Sequence, residues 1–215
     1  MLNVKFLRDV LLPSNLQKYE IYEAMNNTQD FFISIHKDAG IILSDIIQSN
    51  NFSGIVSNVF SKKLSDVSKY KSNHDQRYPD LIYANEKIGL EVKVTNKPWK
   101  GGEGHNGHSG WHIIVCYMIL PYGDIEFIQT EIAYLNGYET NNSDWKYQGS
   151  KRNDNNSQRT ETYITTSIGT AKLRDGSVYL NTDYITMSKM LIKNRFVLEK
   201  DLPVPLYSPF LKYKA

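Results

Sequence analysis

Between residues 77 and 97 the chain reads RYPDLIYANEKIGLEVKVTNK, which places Asp80 after a proline and Glu91 and Lys93 a short distance downstream. Two hard oxygen donors and one cation are the side chains that divalent-metal phosphodiester chemistry requires. Two carboxylates held close repel each other, and a bound cation removes that penalty. Oxygen donors at this charge density favour Mg²⁺, with Mn²⁺ as a substitute. Such an ion lowers the pKa of a bound water and offsets charge on a scissile phosphate. Lys93 would orient or deprotonate that water, or neutralise the pentacovalent phosphate. With a reference pKa of about 10.4, the charge-neutralising role suits it better.

The spacing suggests how these groups are brought together. Leu81 to Ala84 reads as a short strand, and Ile88 to Thr95 as a second, β-branched one. Asn85-Glu86-Lys87 supplies a polar connection, and Gly89 is expected to loosen the backbone beside it. Side chains alternate along a strand, so Glu91 and Lys93 share one face while Leu90, Val92 and Val94 point into a core. Pairing through the turn returns Asp80 to the side of Glu91. A surface hairpin with Asp80 capping a turn and Glu91 paired to Lys93 is the simpler alternative.

Pro79-Asp80 followed by Glu91-Val92-Lys93 resembles the signature of the PD-(D/E)XK nuclease superfamily, and its surroundings resemble type II restriction endonucleases. The likeness is good over roughly residues 78 to 120 and general elsewhere. It implies Asp80 and Glu91 as metal ligands, the Val92 carbonyl as a further ligand, and Lys93 as the catalytic lysine. It also implies a glutamate from an N-terminal helix, for which Glu20 and Glu23 are both candidates. The expected activity is Mg²⁺-dependent cleavage of double-stranded DNA at a short site. A homodimer is expected because palindromic sites suit two-fold pairs, and a cognate DNA methyltransferase is expected as a separate protein. A repair or junction-resolving nuclease of the same superfamily, or a non-catalytic DNA-binding module, are the alternatives.

The Gly-rich segment from Lys97 to Gly110, KPWKGGEGHNGHSG, follows the catalytic strand and should approach the same site. Lys97, Lys100, His105 and His108 are candidate DNA contacts there, and Trp111-His112 enters the next strand. The segment is no P-loop, since no Gly-Lys-Ser/Thr opens a helix. Glu103, His105, His108 and His112 invite a zinc reading, but their intervals are irregular and no cysteine is near. Residues 141 to 159 are rich in groups that hydrogen-bond bases and phosphates, with Lys151, Arg152 and Arg159 the first candidates. A second basic run carries Lys62, Lys63, Lys69, Lys71 and Arg77, and the tail from Lys189 is basic too.

The remaining elements frame the hairpin. Ser14 to Asn26 and Thr28 to Gln48 read as two helices, the first N-capped by Ser14. Asn50-Asn51 reads as a stop, and Phe52 to Leu64 as a short helix. Strands are expected near 111–120 and over Ile125 to Leu135, around a turn at Pro121 to Asp124. Asn136 to Gln158 reads as a long polar loop, Thr160 to Ile168 as β-like, and Thr182 to Asn194 as a final helix. The expected fold is α/β (α+β): a central mixed sheet of about five strands, with N-terminal helices and a C-terminal helix. We read one domain, 1–215, with a helical part at about 13–64, a catalytic sheet at about 78–135 and a polar loop at about 136–158.

Composition bounds the reading. The chain has 215 residues, 40% of them hydrophobic and 22% charged, which is ordinary for a globular domain with a real core. A net charge of +2 does not by itself indicate a nucleic-acid partner, so charge placement has to carry that argument. The single Cys116 lies in an apolar run, fits a buried hydrophobe better than a nucleophile, and agrees with a reducing cytoplasm. Arg8 and Asp9 break the N-terminal apolar run, so no signal peptide is expected, and no run approaches a membrane span.

Overall fold

The computed structural model describes residues 2–73, 78–100, 103–105, 107–149 and 162–185. Two long helices and a sheet enclose the main core. Helix α1 (Lys18–Ala39) buries Ile21, Ala24, Met25, Thr28 and Phe32, a stripe at helical spacing. Its N-terminus is held by a capping box: the Gln17 backbone N–H donates to Glu20 Oε2 at 2.8 Å. Gly40, at φ 65°, ends the helix in the left-handed region, where a residue without Cβ is unstrained. A single turn, α2 (Leu43–Ile46), leads to α3 (Ser49–Val67). There Phe52, Val56, Phe60 and Leu64 recur every fourth residue, each at most 1% exposed. Burial of each such side chain contributes roughly 1.5–3 kcal/mol.

The helices cover one face of a six-stranded sheet. Its strands are β1 (Lys71–Ser72), β2 (Leu81–Tyr83), β3 (Ile88–Thr95), β5 (Gly110–Ile119), β6 (Ile125–Leu135) and β9 (Ser177–Leu180), in spatial order β1-β2-β3-β5-β6-β9. Every neighbouring pair is antiparallel except β3 and β5. Leu81, Leu90, Val92, Ile113, Val115, Tyr117 and Phe127 meet α1 and α3 in one cluster. Alternation turns Glu91 and Lys93 to the opposite face, as the sequence implies. That face carries a second sheet of β4 (Glu103–His105), β8 (Thr162–Thr165) and β7 (Trp145–Tyr147), in the order β4-β8-β7. Helix α4 (Ser167–Asp175) lies with it, and Trp145, Tyr163 and Leu173 pack there on Ile114, Ala133 and Leu135.

The α+β class and the mixed central sheet match the sequence reading, with six strands in place of about five. Several boundaries do not match. The segments read as two helices at 14–26 and 28–48 form the single helix α1 plus α2, and Gln17 rather than Ser14 is the cap. Asn26 does not break the helix, because its Nδ2 donates to the Tyr22 carbonyl and its Oδ1 accepts the Leu2 N–H. Asn51 lies inside α3 rather than before it. The segment 136–158 is not loop throughout, since β7 pairs with β8. The segment read as β-like, Thr160 to Ile168, runs two residues into helix α4, whose remaining residues carry no assignment from sequence. Residues 182–185 form turns, and the rest of the expected final helix lies outside the described residues. Among the described residues no helix is long and apolar enough to cross a membrane.

Candidate active site

Strands β2 and β3 form the expected hairpin, with Leu81 opposite Leu90 and Tyr83 opposite Ile88. The turn is made by Lys87 at φ 53°, whereas Gly89 lies inside β3. Continuing the register by one residue sets Asp80 across from Glu91. Asp80 Oδ2 accepts the Val92 N–H at 2.8 Å, so the aspartate closes the ladder where β2 has ended. A residue in an extended strand presents its N–H and C=O to the same edge, so the Val92 carbonyl also turns toward Asp80. The Tyr78–Pro79 peptide preceding Asp80 is cis, and the Asp80 and Pro79 carbonyls accept hydrogen bonds from the Asn73 N–H and Nδ2.

Glu91 is the most constrained member. Its side chain is only 12% exposed, and Oε1 is ion-paired with Lys93 Nζ. Oε2 is buried and has no hydrogen-bond partner. Burial pushes the Glu91 carboxyl above its ordinary 4.5, Lys93 opposes that shift, and the neighbouring Asp80 charge adds to it. Leaving a buried carboxylate oxygen unsatisfied carries a desolvation penalty of ~1–3 kcal/mol or more. Among the described residues no group of three or more His, Cys, Asp or Glu side chains forms a metal-binding cluster, so the donors here are two carboxylates and a carbonyl. That set fits Mg²⁺, which is commonly held by one or two carboxylates plus waters. An ion taken up by Glu91 Oε2 and Asp80 would offset the effect of burial and neutralise the repulsion between the two carboxylates.

The neighbours of this trio were only partly anticipated. His112 pairs with Glu91 across the β3–β5 ladder. Its Nδ1 lies 3.0 Å from the Gly110 carbonyl, and burial lowers its pKa to about 4, so the ring is neutral near pH 7. Because a carbonyl only accepts, Nδ1 carries the proton and Nε2 keeps its lone pair. Strand β6 adds Glu131, opposite Ile114 on the same face and fully buried, whose pKa burial raises to about 8 against the opposing charge of Arg174. Gln129 Nε2 donates to Glu131, and Gln129 Oε1 accepts the Trp99 N–H at 2.9 Å, which ties down the segment after β3. The sequence singles out His112 with the other histidines of its segment but not as a partner of Glu91, and only the ladder register reveals Glu131.

The other expected site residues are dispersed. Glu20 serves the α1 cap, and Glu23 is exposed on α1, across the sheet from Glu91; neither joins Asp80. Lys97 and Lys100 are exposed just beyond the end of β3, on the path leading away from Lys93. His108 is half-buried: its ring lies 4.7 Å from that of Tyr78, and its carbonyl accepts the Trp145 indole N–H. The backbone at His105 belongs to β4, while its side chain and that of Glu103 lie outside the described residues, as do Lys151, Arg152 and Arg159. In the described part of the basic run from Lys62 to Arg77, three lysines are engaged in local contacts. Lys62 pairs with Asp66, Lys69 donates to Asn15, and Lys71 caps α3 through the Ser65 and Ser68 carbonyls. Arg77 and the tail from Lys189 lie outside the described residues.

Comparison of the chain with protein-family models, with curated proteins and with solved structures gave no match.

Proposed function

We propose that this chain is a Mg²⁺-dependent endodeoxyribonuclease of the PD-(D/E)XK type, acting on double-stranded DNA in the manner of a type II restriction enzyme. The observation that carries the reading is the buried, partnerless Glu91 Oε2, set across from Asp80 and paired through its other oxygen with Lys93. A structural ion pair would be expected to satisfy both oxygens; one bare oxygen beside a second carboxylate favours a cation site. A bound Mg²⁺ would supply Lewis acidity toward a phosphodiester and an activated water. Asp80 is anchored by the Val92 N–H and so presents Oδ1 in a fixed direction. Lys93, 29% exposed, has an ammonium that can reach a phosphate oxygen while keeping its stem against the sheet. Lys97 and Lys100 extend the positive charge past the end of β3, as a track for the polynucleotide backbone.

The test is plasmid cleavage with Mg²⁺, with EDTA, and after Asp80→Ala or Lys93→Ala. Discrete fragments that disappear with EDTA and in both variants support the proposal. Preference for branched DNA would move the assignment to a junction-resolving enzyme. A DNA mobility shift with no cleavage under any metal would leave a binding module and end the catalytic reading.

A further inference from the structure

We propose that the cleft beside Asp80 receives a single nucleobase swung out of the duplex next to the scissile phosphate, which rests on the nuclease reading above. The cleft has a volume of 580 Å³, and its wall includes Tyr78, Ile82, Lys87, Ile88, Trp111 and Tyr134. That volume falls in the range of small-molecule sites and holds one nucleotide with room to spare. Its walls are aromatic and aliphatic, with one exposed cation, Lys87, at the hairpin turn. This is the pairing a nucleotide needs: a stacking surface for the base and a positive charge for its phosphate.

The cleft wraps the end of the sheet: Ile88 and Trp111 belong to its helix-side face, while Pro79 and Gly89 tie it to the reacting groups. Pro79 and Gly89 both line it, and they lie one residue from Asp80 and two from Glu91. Two residues of strand span about 7 Å, comparable to the reach from a phosphate to its own base. The cleft therefore occupies one end of β3, the acidic groups its middle, and Lys97 and Lys100 the region past its far end. From Gly89 to Thr95, where β3 ends, six strand steps span about 20 Å.

The aromatic walls are held in place before any ligand arrives. The Tyr78 hydroxyl donates to the Ser109 carbonyl at 2.8 Å, and its ring rests on His108. Trp111 and Tyr134 meet edge to face at 5.9 Å, on paired strands. Tyr134 is nonetheless 48% exposed. A rigid aromatic pair left half open to solvent gains stacking area from a flat ring at little entropic cost.

The test uses a short duplex carrying one unpaired 2-aminopurine and the same duplex fully paired, each titrated with the full-length protein in Ca²⁺ to allow binding without cutting. The wild type should bind the bulged duplex more tightly, and stacking should quench the 2-aminopurine. Tyr134→Ala, whose side chain is too exposed to threaten folding, should weaken bulged-duplex binding by about 5- to 150-fold and restore fluorescence. Trp111→Ala should do the same, with its fold checked by circular dichroism. Equal affinity for the two duplexes, or an unchanged preference in Tyr134→Ala, overturns the proposal. So does a protein dimer that Tyr134→Ala dissociates, because a second copy would then fill the cleft. Plasmid cleavage without any preference for the bulge sinks the cleft reading alone, whereas absence of both DNA binding and cleavage sinks the nuclease reading and the cleft with it.

Discussion

Pro79 and Gly89 are fitted to one another across the β2–β3 hairpin: a Cβ on Gly89 would stand 2.3 Å from Pro79 Cγ. The absence of a side chain at position 89 is what allows the Pro79 ring to lie against β3 and fix where Asp80 starts. Gly89→Ala should therefore push the Pro79-Asp80 segment outward. We expect a loss of ~1–3 kcal/mol in stability and roughly a hundredfold lower cleavage rate, because displacements near 1 Å are costly at a reacting centre. Denaturant melts and initial rates on plasmid DNA measure the two effects. Unchanged cleavage would show that Asp80 is not positioned by this contact.

Lys93→Ala should lower the cleavage rate by ~10²–10³-fold, the scale of losing one charge stabiliser in the transition state. It should also alter the pH profile. Lys93 opposes burial at the Glu91 carboxyl more than the Asp80 backbone does, so without it Glu91 protonates at higher pH. The acidic limb of residual activity should move upward in pH. A rate loss with no movement of that limb would separate Lys93 from Glu91 titration.

Glu131 offers a test of buried charge away from the trio. Its folded pKa is about 8 against an ordinary 4.5, so between these values the folded state holds a proton that the unfolded state has released. Stability contributed by this group is therefore complete at low pH and falls as pH rises toward 8, by up to about 1.4 kcal/mol per pH unit. Glu131→Gln, which imitates the protonated form, should match the wild type near pH 5 and exceed its stability at pH 8. Chemical denaturation of both proteins across that range is the check, and parallel curves would refute the assignment.

The N-terminal glutamates make a contrasting pair. Glu20→Ala removes half of the capping box and should cost ~1 kcal/mol, while Glu23→Ala should change stability by less than about 0.5 kcal/mol. Neither variant should alter the metal dependence of cleavage. A shift in Mg²⁺ requirement for either one would mean that α1 reaches the site after all.

The elements that read clearly from sequence were those whose pattern is local. Ile88 to Thr95 and Ile125 to Leu135 have the stated bounds because β-branched alternation persists along them. The hairpin register followed, and with it the approach of Asp80 to Glu91. The break expected between Asn26 and Thr28 does not occur, because the Asn26 side chain bonds back to the preceding turn and to Leu2 and the helix runs on. Helix α4 does carry a cap signal, since Thr166 accepts the Gly169 N–H, but a glycine within so short a segment hid it. The structure explains that glycine: a Cβ there would meet the Asp144 carbonyl oxygen at 2.5 Å. Strands β4 and β7 were illegible because each is only three residues long and pairs with β8, which lies further along the chain. Glu131 was illegible too, and His112, although singled out among the histidines, meets Glu91 only in the assembled ladder.

The three-stranded sheet is assembled from segments at 103–105, 145–147 and 162–165, none longer than four residues. Each must be gathered from far along the chain after the larger sheet exists to receive Trp145 and Tyr163, since loop closure is costly before such contacts repay it. The layer that sets Trp145 against His112 thus rests on short ladders and long closures, whereas the six strands beneath it carry the longer pairings.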